Sequence, residues 1–359
     1  MIRVDVAIVG GGIAGASLAA KVAPHARMLL LEGEDVAGYH ATGRSAAFWS
    51  ETYGGPAIQP LTTASGPILR EGGYLSPLAA VQIGRVEDAG AIDAYLAEFD
   101  GTGVALQAVD PSALIPGLRD DWKLGVYEPT CAYIDVARLH ADALGHARRA
   151  GAQIRTSARF AGAVREGGAW AFDGVVADVI VDAAGAWADP VAVSVGAKPL
   201  GIAPFRRTMA QIRTAPGAPE GMPLVSHIAG SFYFKPEPGG RLWVSPHDEI
   251  ACDAGDAQPE EIDIAVAIDR FEQAVDWRVL AVERSWAGLR SFAPDRLPVY
   301  GFDPAVPGLF WFAGQGGFGI QTAPAAAELA AALLLGRTPD EGVAGIDVER
   351  YSPARFGAV

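Results

Sequence analysis

Three glycines, Gly10, Gly12 and Gly15, follow the apolar run Val4–Val9 at the spacing of a turn that grips a pyrophosphate. The first permits a tight turn, the second lets backbone N–H groups reach an anion without a Cβ in the way, and the third lets helix and strand pack closely. Ile13 and Ala14 then open a helix whose N-terminal N–H groups and dipole favour negative charge. A second apolar run, Met28–Leu31, ends in Glu32, seventeen residues beyond Gly15. That is close to the roughly 20 expected for an acid that accepts hydrogen bonds from ribose hydroxyls. A carboxylate there repels a 2′-phosphate and so disfavours an NADP-type ligand. The chemistry implied is the binding of a dinucleotide.

Other segments of small and polar residues suit the same ligand. The stretch Tyr39–Ala47, which contains Thr42, Gly43, Arg44, Ser45 and Ala46, reads as a cofactor-facing loop running into a helix. The apolar run Val175–Val181 ends in Asp182-Ala183-Ala184-Gly185-Ala186-Trp187, a second place where backbone could approach a cofactor. Near the end of the chain Leu309–Phe312 reads as a strand, followed by a second Gly-rich turn, Gly314 to Gly319, and an Ala-rich helix. Glycine turns at both ends must grip one ligand, and a helix N-terminus aimed at an isoalloxazine would stabilise the negative charge of a reduced flavin. A flavin needs that charge placement and a nicotinamide does not.

The elements that must position these residues are those of a large α/β protein. At 359 residues the chain suggests two domains or one large discontinuous one, and half of its residues are hydrophobic. A net charge of −14 argues against nucleic acid or an anionic membrane surface as partner. Cys131 and Cys252 make no disulfide framework and lack metal-ligand spacing, which fits thiols in a reducing cytoplasm. No basic leader precedes the first strand, and the apolar stretch ending at Leu335 is interrupted by Pro324 and Glu328, so it reads as a core helix rather than a membrane span. Helices are expected over Asp88–Phe99, from Ile134 to about Gly151 and between Ile262 and Val275. Strands are expected at Gln153–Arg155, Phe160–Val164, Ala169–Phe172 and Val175–Val181. Residues 199–286 alternate as a mostly antiparallel sheet.

Taken together, these segments resemble the FAD-dependent D-amino-acid oxidase superfamily, and within it the bacterial D-arginine dehydrogenase group. The carrying segments are Val9–Gly15 with Glu32, Gly38–Ala47, Asp182–Trp187, Ser231–Pro236, Ala287–Phe292 and Gly314–Thr322. The resemblance implies a Rossmann-like FAD-binding domain of the glutathione-reductase type, built from residues 1–74, 131–199 and 287–359. A mostly antiparallel β substrate domain would take residues 75–130 and 200–286. It also implies noncovalent FAD contacted by the loops above, by Phe160, and by Gly316, Gly317, Phe318, Gly319, Ile320 and Gln321. Arg290 would clamp a substrate carboxylate, with Arg207 and the hydroxyls of Tyr53 and Tyr233 beside it; Gln321 and the Gly317 carbonyl would contact the amine end. Arg206 keeps the reading of a surface charge. His40, His140, His146, His227 and His247 show neither metal spacing nor nucleophile pairing.

The implied activity is oxidative deamination of a D-amino acid to a 2-oxo acid and ammonia, with oxygen or a quinone as acceptor. Where the D-arginine enzymes carry an acid for the substrate guanidinium, after Ser76-Pro77, this chain has Ala80, and a lid histidine is replaced by Phe48, near Ser50. These departures favour apolar or aromatic D-amino acids, unless Glu51 or Glu71 restores the charge. A glycine-, proline- or secondary-amine oxidase and a non-catalytic flavin protein remain as alternatives. No cysteine stands near the C-terminal part of the chain, where the sarcosine oxidases of this superfamily attach their flavin.

Overall fold

A computed structural model describes residues 1–357. Two large sheets organise it. The first has eight strands, and its parallel centre sets Ile2–Val9 between Met28–Leu31 and Val175–Asp182, with Gln153–Arg155 and Leu309–Ala313 outside them. Met28–Leu31 is buried at every residue, as expected for a parallel strand covered on both faces. The helices Ile13–Val22, Val136–Arg149 and Gly319–Leu335 cover one face through Ala16, Leu18, Ala147, Ala326 and Leu329. Trp170, Val191 and Ala192 lie in the core on the other.

The second sheet has ten strands. All its pairings are antiparallel except that of Leu224–His227 with Ala80–Gly84. Its spine is the pairing of Ala203–Ala215 with Arg278–Phe292, and the helix Glu261–Ala274 buries Ala267, Phe271 and Ala274 against it. The strand Arg278–Phe292 runs unbroken through residues 286 and 287, where the sequence reading placed a boundary. The chain passes between the two sheets several times, and its shortest crossing lies near the end of the last strands. Leu309–Ala313 belongs to the first, and three residues later Gly316 already pairs with Ser291 in the second.

Most expected elements form within a residue or two. Two do not. Residues 160–163 leave the sheet, because the preceding Ser157 and Ala158 donate backbone hydrogen bonds to the carbonyls of Glu34 and Glu32, drawing the segment across the strand ends; only Val164–Glu166 pairs. After residue 44 the chain does not run directly into a helix; Phe48–Trp49 first pairs with Ala132–Tyr133 in a small three-stranded sheet, and the next helix is Gln59–Glu71. Among the described residues no helix is long and apolar enough to cross a membrane.

The closest helix-to-strand approach lies at Gly15, where a Cβ would stand 1.9 Å from the carbonyl oxygen of Gly10. Because the obstacle is backbone, Gly15→Ala is expected to cost at least about 2 kcal/mol, read from the denaturation midpoint. An unchanged midpoint would show that the turn yields freely.

Candidate active site

A cavity of about 520 Å³ runs from the ends of the first sheet's strands to the face of the second. At its first end Gly10 adopts φ +106°, and a Cβ there would meet the Ala183 carbonyl oxygen at 2.4 Å. Glu32 lines the wall with its carboxylate fixed by two backbone donors, Gly11 N–H and Glu34 N–H, each at 2.9 Å. The Thr42 hydroxyl accepts from Ile13 N–H at 2.9 Å, capping the first helix, for which Gly12 offers no side chain. His140 contacts the Gly11 carbonyl at 2.8 Å and so braces the turn. Gly12, Ile13, Ala14, Ser45, Ala46, Phe160, Ala184, Gly185 and Trp187 all line this end. Trp187 also packs on His40, with ring centres 4.7 Å apart. Two helix starts, wall backbone that leaves room for an anion and a fixed acid suit a pyrophosphate and a ribose, so the residues present fit FAD.

The other end is built on the second sheet. Arg207 pairs with Gly288, and Arg290 pairs with Phe205, so the two arginines are diagonal neighbours on one face of adjacent strands. Arg206 points to the opposite face and pairs with Glu260 and Asp263; its side chain is only 11% exposed, so it is a partly buried structural ion pair rather than a surface charge. Arg207 Nε donates to the Asp248 carbonyl at 2.8 Å, while its Nη2 has no hydrogen-bond acceptor among the described residues. Arg290 Nη1 lies 3.0 Å from Glu249 Oε1 but out of hydrogen-bond alignment, and its Nε is also unmet. The two side chains are 8% and 12% exposed. Burial, and then the Arg290 charge, pull the Arg207 pKa down. Buried guanidinium N–H groups without acceptors are costly, and an anion in the cavity would satisfy them.

Around these cations stand aromatic rings. Phe48 contacts Tyr53 at 5.1 Å and Tyr233 at 6.5 Å between ring centres, and Phe318 supports Tyr53 from behind. The Tyr233 hydroxyl, pushed up to about 12 by burial, donates to Met209 Sδ at 2.9 Å. A Cβ on Gly317 would meet Tyr53 OH at 2.6 Å and Arg290 Nε at 2.7 Å, so the Gly-rich turn closes directly on both. The segment carrying Tyr53 is held by Glu128, which accepts from Ser50 Oγ at 2.8 Å, Glu51 N–H at 2.7 Å and Thr52 Oγ1 at 2.6 Å. Burial pushes the Glu128 carboxyl up despite these donors.

Comparison with known proteins agrees with this geometry. The profile of the DAO family, described as FAD dependent oxidoreductase, matches residues 5–333. The chain belongs to this family. A curated FAD-dependent oxidoreductase domain-containing protein 1 from Xenopus laevis is 27% identical over 51% of the chain and 39% of its own length. The chain spans less than two fifths of the curated relatives it matches. Among solved structures, L-proline dehydrogenase from P. horikoshii superposes with a TM-score of 0.86 over 99% of this chain and 98% of the other, at 20% identity. Glycine oxidase from Geobacillus kaustophilus gives 0.82 over 99% of both chains, at 24% identity. The family is one of FAD-dependent oxidoreductases, and the residues that line the cavity fit FAD as the cofactor.

Several residues expected at the site have other partners or lie off the cavity wall. Arg44 lines the cavity, and its guanidinium is bound to Asp256 and to the carbonyls of Ala257, at 2.9 Å, and Ala287, at 3.2 Å. Gly15 and Gly43 shape the turns without reaching the wall, and Phe318 packs beneath Tyr53. Gln321 reaches the wall, yet its amide is committed to Ser50 N–H, the Tyr53 carbonyl and Thr62, so it braces the same segment as Glu128. Ser50 faces Glu128, and Ala80 is packed with Leu78, Cys131 and Leu224, so neither lines the cavity. Sequence reasoning missed Glu128, His140, Asp248 and Glu249. Only Glu128 carried a signal, as an acid ending an otherwise apolar strand, Leu124–Glu128.

Gly317→Ala is expected to push Tyr53 and Arg290 apart and raise KM about tenfold with FAD content unchanged. Steady-state kinetics beside the visible spectrum measure both; an unaltered KM would remove Gly317 from the site.

Proposed function

We propose that this enzyme oxidises a free α-amino acid at the Cα–N bond, giving an imine that hydrolyses to a 2-oxo acid and ammonia. The observation that carries this reading is the pair of buried guanidiniums with unmet N–H groups, set beside an aromatic wall. Arg290 and Arg207 hold the substrate carboxylate, a planar anion that the guanidinium fork matches in two bonds. FAD held at the dinucleotide end would supply the two-electron acceptor for the hydride that leaves Cα. Phe48, Tyr53 and Tyr233 enclose the substrate body, and the Gly317 carbonyl borders the amine end. The chain need supply no strong base, since the amine loses its proton before its lone pair drives imine formation; Tyr233 stays protonated at neutral pH.

The preference for apolar or aromatic side chains is supported by the acids on the wall. Among the described residues these are only Glu32 and Glu34, both at the dinucleotide end. Glu51 is engaged by Thr63 and Thr130, and Glu71 ends an exposed helix turn, so neither offers a charge to a cationic substrate. The D configuration follows the sequence resemblance. Neither cysteine lines the cavity, which supports noncovalent FAD. The second reading, oxidation of glycine, L-proline or sarcosine, uses the same clamp and is favoured by the two whole-chain structural likenesses.

Anaerobic mixing separates the two. D-phenylalanine is expected to bleach the flavin band near roughly 450 nm, with D-arginine and L-phenylalanine at least about tenfold slower. Bleaching by L-proline, glycine or sarcosine alone selects the second reading, and none by any substrate overturns both. Arg290→Gln is expected to weaken substrate binding roughly 10- to 100-fold; unchanged binding would remove the clamp.

A further inference from the structure

The two clamp arginines are not alone. Glu249 stands 3.0 Å from Arg290 Nη1 and 3.7 Å from Arg207 Nη2, and both of its oxygens accept from Arg296 Nη2, at 2.9 and 3.0 Å. Asp248 lies 3.7 Å from Arg207 and is tied to Thr208 N–H and Oγ1. Ion-pair distances thus connect three guanidiniums to two carboxylates. His247 adds no charge near neutral pH, because burial and the neighbouring Arg207 hold its imidazole down at about 4. Burial pushes the Glu249 carboxyl up, but Arg290, Arg296 and Arg207 outweigh it and keep the group ionised. Arg206, Glu260 and Asp263 lie on the opposite face, away from the cavity, and meet the first group through Thr208 Oγ1, which lies 3.0 Å from Asp248 Oδ2 and 3.3 Å from Asp263 Oδ2.

One positive charge is therefore left over where the cavity meets the clamp. We infer that Glu249 sets the carboxylate count of the substrate: it leaves the Arg207–Arg290 clamp with the charge for one carboxylate and works against a second. This rests on the clamp reading above and deepens it, because the clamp alone would draw a dicarboxylate more strongly than a monocarboxylate. Glu249 does not line the cavity, so its influence is through charge and through the orientation of Arg290 rather than by contact with substrate. It is a specificity and positioning residue.

The test uses the holoenzyme and two non-reacting ligands of equal chain length, butyrate with one carboxylate and succinate with two. Their Kd values are read from the perturbation of the flavin spectrum. In Glu249→Gln, which keeps the shape and removes the charge, the succinate-to-butyrate affinity ratio is expected to rise about tenfold over wild type. Glu249→Asp, which restores the charge, should return the ratio towards the wild-type value. A ratio that does not move in Glu249→Gln, whether both affinities hold or fall together, overturns the role and leaves Glu249 structural. Arg290→Gln, measured with butyrate alone, is the control for the clamp. If it or the wild type shows that butyrate binding does not depend on Arg290, the clamp falls and the inference falls with it; if the clamp holds and the ratio is fixed, only the inference falls.

Discussion

Everything at the reaction end depends on one short crossing of the chain. Leu309–Ala313 completes the first sheet, and Gln315–Gly316 pairs with Ser291–Phe292 on the second, so the step between sheets is made at Gly314. Gly314 and Gly316 take φ +73° and +55°, and a Cβ on Gly316 would overlap the Phe292 ring. No larger residue could bring the start of the last helix so near the arginine strand. This link sets the start of the last helix and the Arg290 guanidinium in a fixed relation, which the proposed orientation-controlled chemistry requires.

Given that fixed frame, the protein must still tolerate two buried like charges on adjacent strands. It does so by surrounding Arg207 and Arg290 with Asp248 and Glu249 without filling every donor. The opposing loop is rigid for a related reason. Glu128 from a strand of the second sheet and Gln321 from the last helix both direct polar atoms to Ser50–Tyr53, so that the Tyr53 ring is positioned by buried hydrogen bonds rather than by loop packing alone. These supports are energetically demanding, since each leaves a polar group in a dry site if its partner is lost.

The dinucleotide end was legible because its physics is local. Gly10, Gly12, Gly15 and Glu32 act through turn geometry and strand ends, which a sequence displays directly. Arg207 and Arg290 were reached only by resemblance, since their shared face depends on a strand register between residues about 80 apart. Glu249 and Asp248 were not reached at all: they sit in a loop after Arg241–Ser245 and acquire meaning only when that loop folds under the arginine strands. The strand expected at Phe160–Val164 failed for a similar reason, as backbone bonds from Ser157 and Ala158 to distant carbonyls outweighed local propensity. Arg44 shows another case of non-local control, its guanidinium being bound to partners more than two hundred residues away.

The centre of the nucleotide sheet joins Ile2–Val9 to Val175–Asp182, and that strand to Leu309–Ala313. Its neighbours are thus drawn from the beginning, middle and end of the chain. During synthesis the glycine turn precedes Val175–Asp182 by some 160 residues and Leu309–Ala313 by some 300. Such non-local closure makes folding slow and leaves the early segment exposed to misassociation. Because the cavity that fits FAD is lined by residues from all three regions, FAD held there would add its binding free energy to the completed sheet.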